Sequence, residues 1–243
     1  MAFALTALVA VTAAACGNSA PSEGALQGKT ATAITGMSIE AYHRQQSVAF
    51  VTKTIVGKTS TIEVGATSRA GAAAETVTAN GQPVIDAVFV DNVAYLRSTA
   101  SFLEHSLDLS SSTATAYAGK WISLQEGDAA YKGLVSSLSP TQAIEQFVPE
   151  EPNLRVAGAT SVGGRTAVAV SGSPSGQVQA GNTATSTLFV STAAPYLPTS
   201  STVVVKSTTG KTAERLASVY GKYNKPVHPI APKGATPFSS LGG

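Results

Sequence analysis

One residue of this chain is placed for covalent chemistry. Cys16, the single cysteine among 243 residues, directly follows an apolar run, residues 1–15, and precedes a small polar stretch, GNSAPSEG. The run is shorter than the roughly 20 apolar residues that span a bilayer, but it has the length of the apolar core of an export signal. Ala13, Ala14 and Ala15 supply the small residues that a signal peptidase needs before its cleavage site. The pattern predicts export, with the Cys16 sulfur forming a thioether to a diacylglycerol.

These residues resemble the lipobox of bacterial lipoproteins, in which a cysteine follows small residues and becomes the new N-terminus. Ala14 and Ala15 match it, Ala13 stands where Leu or Val is usual, and the first basic residue is Lys29. The alternative is an ordinary signal peptide cleaved near Ala15, with Cys16 as a free thiol. We favour acylation because a lone exported cysteine forms no internal disulfide, and two acyl chains hold a membrane stably where one does not. The protein is then expected on the outer face of the cell membrane.

No other group of residues has the spacing of a catalytic or metal site. His43, His105 and His228 lie far apart in the sequence, and this excludes the common zinc-ligand spacings. No G-x-S-x-G segment marks a nucleophilic serine. Glu150 and Glu151 are adjacent in a proline-flanked loop, which is typical of a solvated loop. The sequence therefore predicts no enzyme, no metal and no cofactor, with an exported hydrolase as a distant alternative.

The composition limits the class of partner. Charged residues make up 12% of the chain, about half the usual share, and hydrophobic residues make up 43%. A net charge of +2 without any Lys/Arg cluster argues against nucleic acid. No second apolar run reaches spanning length, so the remainder of the chain is not expected to cross a membrane.

The sequence divides into a tether, a folded domain and a tail. Residues 16–37 lack periodicity and are rich in Gly, Ser, Thr and Ala, which is typical of a flexible tether. Ser38 is predicted to cap a short helix with Ile39 and Tyr42 on its apolar face. The domain is predicted over 38–233, and residues 234–243 are predicted to be a flexible tail.

From Val48 onward, five β-rich runs indicate an antiparallel meander. Asn-Gly is the strongest short hairpin signal, because both central residues of a type I′ turn need a positive φ. In the second run, Ile62, Val64 and Ala66 alternate with polar residues, and we expect this apolar set to face the core. The separating turns are Gly57-Lys58, residues 69–71, Asn80-Gly81 and Asp91-Asn92.

The middle of the chain is predicted to be helical, and strands return after it. Helices are expected at 101–109, 127–139 and 140–148, with Trp121 in a strand between the first two. Four β-rich runs follow, two of them joined by a Gly-Gly turn. Residues 212–223 are compatible with either a helix or a last strand. The fold class is therefore α+β: a curled antiparallel half-barrel of about ten strands, with a short N-terminal helix and a mid-sequence helical insert covering the concave face.

Several of these segments together resemble the LolA/LolB-like lipoprotein-carrier fold, and within it the actinobacterial lipoproteins of the LppX/LprG group. The most specific part is the hairpin VFVDNVAYLR followed by the strand GKWISL, and the ending SVYGKYNKPVHPIAP adds to it. The resemblance covers roughly residues 38–233. It implies a half-open barrel whose hydrophobic cavity holds the acyl chains of lipids or glycolipids.

A lipid site requires a dry apolar wall, where burying apolar surface contributes roughly 25 cal/mol per Å². The expected ligand is a lipid or glycolipid, with an envelope transport protein as a possible partner and a monomer as the expected state. The alternative is a structural or adaptor lipoprotein with a filled sheet that binds another envelope protein. An apolar cavity of several hundred Å³ between sheet and helices would distinguish the two. The candidate wall residues are Phe50, Ile62, Val64, Val88, Tyr131, Leu134, Leu138 and Phe147.

Overall fold

A computed structural model describes residues 22–175 and 178–242. The predicted signal and Cys16 lie outside the described residues. One sheet dominates the fold, and it has twelve strands within these ranges. In chain order the strands are β1 (Ser47–Val56), β2 (Thr59–Ser68), β3 (Ala72–Ala79), β4 (Gln82–Val90), β5 (Val93–Ser98), β6 (Ile122–Leu124), β7 (Pro149–Val162), β8 (Arg165–Pro174), β9 (Thr183–Ser191), β10 (Pro198–Lys206), β11 (Thr212–Gly221) and β12 (Thr236–Pro237).

In the described residues, five α-helices accompany the sheet. Four of them lie in mid-sequence, between the fifth strand and the seventh. The helices are α1 (Ala31–His43), α2 (Ala100–Leu107), α3 (Ser111–Tyr117), α4 (Tyr131–Ser137) and α5 (Gln142–Glu145). Short 3₁₀ helices span Gly24–Leu26 and Phe238–Leu241.

The strand order is β12-β6-β5-β4-β3-β2-β1-β11-β10-β9-β8-β7. Strands consecutive in the chain pair as antiparallel neighbours within each β region, and β1 also pairs with β11, which joins the two regions. The short β12 runs parallel to β6. The predicted α+β half-barrel is confirmed: a large, open, curled, mostly antiparallel sheet with few helices.

The predicted hairpin turns have the backbone that their residues favour. Asn80 and Gly81 have φ angles of 49° and 80°, and Asp91 and Asn92 have 53° and 59°. Both central residues are therefore in the left-handed region, as a type I′ turn requires. Asn, Asp and Gly tolerate this region better than other residues, so these dipeptides determine where the strands reverse.

The helices cover one face of the sheet, which we call the inner face. Helix α1 packs over β7 to β10, and its Ile34 and Tyr42 are buried with Val170 and Leu188 of the sheet. Helices α2 and α3 cover the opposite half, where a second buried cluster includes Leu103, Ala114, Leu96 and Ile122. The concave side thus carries two separate cores.

The start of α1 corrects the predicted tether and helix. The helix begins at Ala31 rather than at Ser38, because the Thr30 side chain accepts a hydrogen bond from the backbone N–H of Ala33 at 3.2 Å. Ser38 lies in mid-helix and is fully buried. The predicted tether therefore ends earlier, and Leu26 is already part of the core.

Two further expectations are settled at the C-terminal end. Residues Thr212–Gly221 form β11, so the strand alternative holds for the ambiguous segment. The predicted flexible tail at 234–243 is wrong for the part that the structure describes. Thr236 pairs with Ile122 and Phe238 is buried in the second core, because Phe238 finds an apolar pocket beside β6.

Candidate functional site

A cleft of about 880 Å³ opens on the inner face of the sheet. Its floor is the inner side of β9, β10 and β11, and its roof includes α5 and the residues that follow it. Ile39 of α1 and Val56 at the end of β1 lie at its sides. The volume is within the range of pockets that bury a small-molecule ligand.

The lining of the cleft combines an apolar wall with a polar rim. The apolar wall consists of Ile39, Val56, Phe147, Val148, Pro174, Val178, Ala184, Val203, Val205, Ala213 and Leu216. The polar rim consists of Gln142, Glu145, Gln146, Glu150, Ser175, Gln179, Asn182 and Glu214. A site of this kind suits an amphipathic ligand, with its apolar part against the wall and its polar part at the rim.

The predicted wall residues lie in three places: the first core, the second core and the outer face of the sheet. Phe147 is buried in the first core and lines the cleft. Phe50 is buried in the same core, away from the cleft. Tyr131, Leu134 and Leu138 pack with the second core.

The other predicted wall residues point away from the cleft, which corrects their placement. Ile62 and Val64 are 39% and 44% exposed, on the outer face of β2. Val88 is opposite Ala74, which is itself opposite Ala66, so it shares that outer face. Alternation in a strand shows that its two faces differ, but it does not show which face is buried. In β2 the apolar residues lie on the outer face.

The inner residues of β2 explain why its apolar side chains face outward. Gly65 and Thr67 are buried, and their partners on β1 are Phe50 and Val48 of the first core. Phe50 provides the apolar volume that Gly65 lacks. At this position the core is therefore filled by a side chain of β1 that lies over β2. The sequence of β2 alone contains no signal of this packing.

Hydrogen bonds to backbone carbonyls hold the roof of the cleft in place. The Tyr42 hydroxyl donates to the carbonyl of Pro140, and the Thr67 hydroxyl donates to that of Leu138 at 2.5 Å. The Ser186 hydroxyl donates to the carbonyl of Phe147 at 2.6 Å. These bonds tie both ends of α5 to α1 and to the sheet. The roof is thus positioned by directional contacts as well as by apolar packing.

Two half-buried glutamates lie on the inner face between the two cores. Glu63 is opposite Thr52, and Glu75 is opposite Gly65, so the two carboxylates are diagonal neighbours on β2 and β3. Desolvation, reinforced by the charge of Glu63, raises the pKa of Glu75 to about 7. Desolvation also raises the pKa of Glu63. The sequence analysis missed this pair because it assigned β2 the opposite orientation.

Polar groups continue along the same inner face beside the glutamates. Thr52 and Ser218 share a hydrogen bond of 2.8 Å, and Ser201 shares one of 2.8 Å with the hydroxyl of Tyr220. Burial raises the pKa of the Tyr220 hydroxyl well above its usual value. The floor of the half-barrel is therefore satisfied internally by short polar side chains and remains uncharged at these positions.

Across the described residues, no group of three His, Cys, Asp or Glu side chains is arranged to hold a metal ion. In the same ranges, no helix combines the length and apolar character needed to cross a membrane.

The fold has known counterparts among solved structures, although no protein-family model and no curated protein matches the sequence. The lipoprotein LppX of Mycobacterium tuberculosis superposes with a TM-score of 0.51 at 12% identity, covering 82% of this chain and 97% of that one. LprF of Mycobacterium bovis has a TM-score of 0.51 at 16% identity, covering 84% and 97%. The LppX-type fold implied by the sequence resemblance is thereby confirmed.

Proposed function

We propose that this protein is a membrane-anchored envelope lipoprotein that binds or transfers a lipid or lipidated glycan in the cleft, without catalysis. The observation that carries the proposal is the cleft of about 880 Å³ with its long apolar wall between the sheet and α5. The shared fold with the lipoprotein LppX supports it.

The apolar wall accounts for affinity without a reactive group. Each methylene buried against residues such as Val203, Val205 and Leu216 contributes about 0.8 kcal/mol. Leu216 and Val205 are only partly buried in the protein, so an acyl chain would cover apolar surface that now faces the cleft. Phe147 closes the wall from the roof.

The anchor proposed at Cys16 would keep the cleft close to the membrane. Ser22, the first described residue, follows Cys16 by six positions, and six residues span at most about 20 Å when extended. Leu26 is already packed in the core. The anchored domain would therefore lie nearer to the bilayer than the tether predicted over 16–37 allows.

The rival adaptor hypothesis requires a sheet that is filled by its own side chains. The cleft favours the carrier, because a concave space of about 880 Å³ between sheet and helices has the volume of a small-molecule site. Phe50, Leu138 and the rest of the two cores show that the chain fills its interior well elsewhere.

A pair of alanine-to-tryptophan variants tests the proposal. Ala184 lines the cleft on the inner face of β9, whereas Ala217 lies on the outer face of β11, opposite Lys53. We expect Ala184→Trp to reduce the affinity for a fluorescent C16 fatty acid at least tenfold, while Ala217→Trp leaves it within twofold. Equal binding by both variants, at matched thermal stability, would contradict the cleft as the lipid site.

A further inference from the structure

Most charged side chains of the sheet are sorted between its two faces; Asp86, which pairs with Arg97 on the outer face, is an exception. Strand alternation and the pairing registers place Glu63, Glu75 and Glu214 on the inner face, since their partners Thr52, Gly65 and Val56 belong to it. The basic residues of the strands fall on the outer face. They are Lys53, Arg97, Arg155, Arg165, Lys206 and Arg215.

The same bias holds around the cleft. Glu145, Glu150 and Glu214 line it, and no Lys or Arg is among the described residues of its lining. Gly176 and Gln177, which the structure does not describe, are uncharged in sequence.

The three carboxylates are largely without cationic partners. Glu150 and Glu214 form no salt bridge within the described ranges, and Glu145 has only His43, at 3.8 Å. The remaining polar lining is mostly amide, including Gln142 and Asn182. Phosphate recognition normally uses Arg, Lys or clustered N–H donors. Carboxylate oxygens instead accept hydrogen bonds from hydroxyl groups and repel anions, and the amide oxygens also accept from hydroxyl groups.

We propose that the cleft selects lipids by head-group charge: it accepts an uncharged, hydroxyl-bearing head group and rejects an anionic one, with Glu145, Glu150 and Glu214 as the specificity-determining residues. This inference rests on the proposed lipid-binding function. The acyl chain lies against the apolar wall, and the head group lies at the rim, where the carboxylates accept its hydroxyl hydrogens.

Two probes that differ only by a phosphate test the selection. The full chain carrying Cys16→Ser, which has no acyl groups of its own, is titrated with 1-palmitoylglycerol and with 1-palmitoylglycerol 3-phosphate by displacement of an uncharged fluorescent C16 monoacylglycerol. At low salt we expect the uncharged compound to bind about tenfold more tightly, the factor that about 1.4 kcal/mol of repulsion produces. The ratio should fall as salt is added, since the repulsion is screened.

A triple variant tests whether the three rim glutamates cause the head-group selection. The triple change Glu145→Gln, Glu150→Gln and Glu214→Gln should bring the two affinities within about twofold, because it removes the repulsion of the phosphate-bearing compound. A matched control replaces three glutamates outside the cleft by glutamine and should retain the discrimination. The control residues are Glu23, Glu104 and Glu126.

The outcomes separate this inference from the function on which it rests. Equal or tighter binding of the phosphate-bearing compound, or discrimination that persists in the triple variant, overturns the head-group selection and leaves lipid binding intact. Absence of binding by both compounds and by the fluorescent monoacylglycerol overturns the proposed function itself.

Discussion

The ring of Phe50 lies over the backbone of Gly65 on the inner face of the sheet. The two residues are directly opposite each other on β1 and β2, and a Cβ added to Gly65 would overlap the ring. Gly65 is followed across the sheet by Glu75, so the phenyl ring covers the sheet beside the half-buried glutamates. The glycine is therefore required by packing rather than by a turn.

This contact predicts the effect of two glycine substitutions. Gly65→Ala should lower the free energy of unfolding by about 1–3 kcal/mol, because the ring of Phe50 must move. Gly36→Ala is the control: Gly36 is an exposed position of α1 with open space around its Cα, and alanine there should stabilise by about 0.5–1 kcal/mol. Denaturant unfolding measures both. A neutral Gly65→Ala would mean that the ring does not lie where we describe it.

Glu75 predicts a pH dependence of stability. Its pKa is about 7 in the folded protein against 4.5 as an ordinary glutamate, so the folded state binds the proton more tightly. This contribution is fully present below about pH 4.5 and is lost as the pH rises through 7. Because the side chain is partly exposed, we expect an effect of about 1–2 kcal/mol.

The variant Glu75→Gln should abolish that part of the pH profile and unfold at higher denaturant concentration than the native protein at pH 8. Glu126→Gln, an exposed control away from the sheet, should keep the native profile. If Glu75→Gln and the native protein lose stability in parallel between pH 4.5 and 7, the dependence arises elsewhere.

The hydrogen bond from Thr67 to the carbonyl of Leu138 predicts a local effect on the roof. Thr67→Val keeps the shape but leaves a buried carbonyl unpaired, which should cost about 1–3 kcal/mol. Amide hydrogen exchange should accelerate in α5 more than in α2. Thr212→Val, at an exposed strand position, is the matched control and should change neither. Uniform acceleration over all helices would show that the bond does not hold the roof specifically.

The proposed acylation of Cys16 predicts where the protein is located. If its sulfur carries a diacylglycerol, Cys16→Ser should move the exported protein from the membrane fraction to the soluble fraction, since the remaining chain has no other acyl group. Metabolic labelling with a fatty acid analogue should mark the native protein alone. Continued membrane attachment of the unlabelled variant would contradict the proposed anchor.

The fold was predictable where local chemistry determines the backbone. Asn80-Gly81 and Asp91-Asn92 identify hairpins because few residues tolerate a positive φ, and the periodicity of residues 127–139 located α4. The start of α1 was not predictable from propensity. Thr32 and Gly36 are poor helix formers, and although Thr30 caps it, the helix exists because Ile34 and Tyr42 pack on the sheet.

The candidate site was harder to predict from the sequence, because it depends on which face of each strand is the inner one. Ile62 and Val64 alternate clearly, yet no local signal shows that Glu63 and Gly65 point inward. The cleft also combines β9, β10 and β11 with α5, which is separated from them in the chain by β7 and β8. Of the named wall residues, Phe147 lines it, since the helical insert was expected to cover the concave face.

Native mass spectrometry tests the central claim most directly. The full chain carrying Cys16→Ser is exported in a bacterial host, purified without detergent and measured before and after organic extraction. We predict a bound species with the mass of an acyl lipid that extraction removes, and its loss in Ala184→Trp but not in Ala217→Trp. A spectrum with the ligand-free mass alone, together with no uptake of a fluorescent fatty acid, would contradict the carrier function.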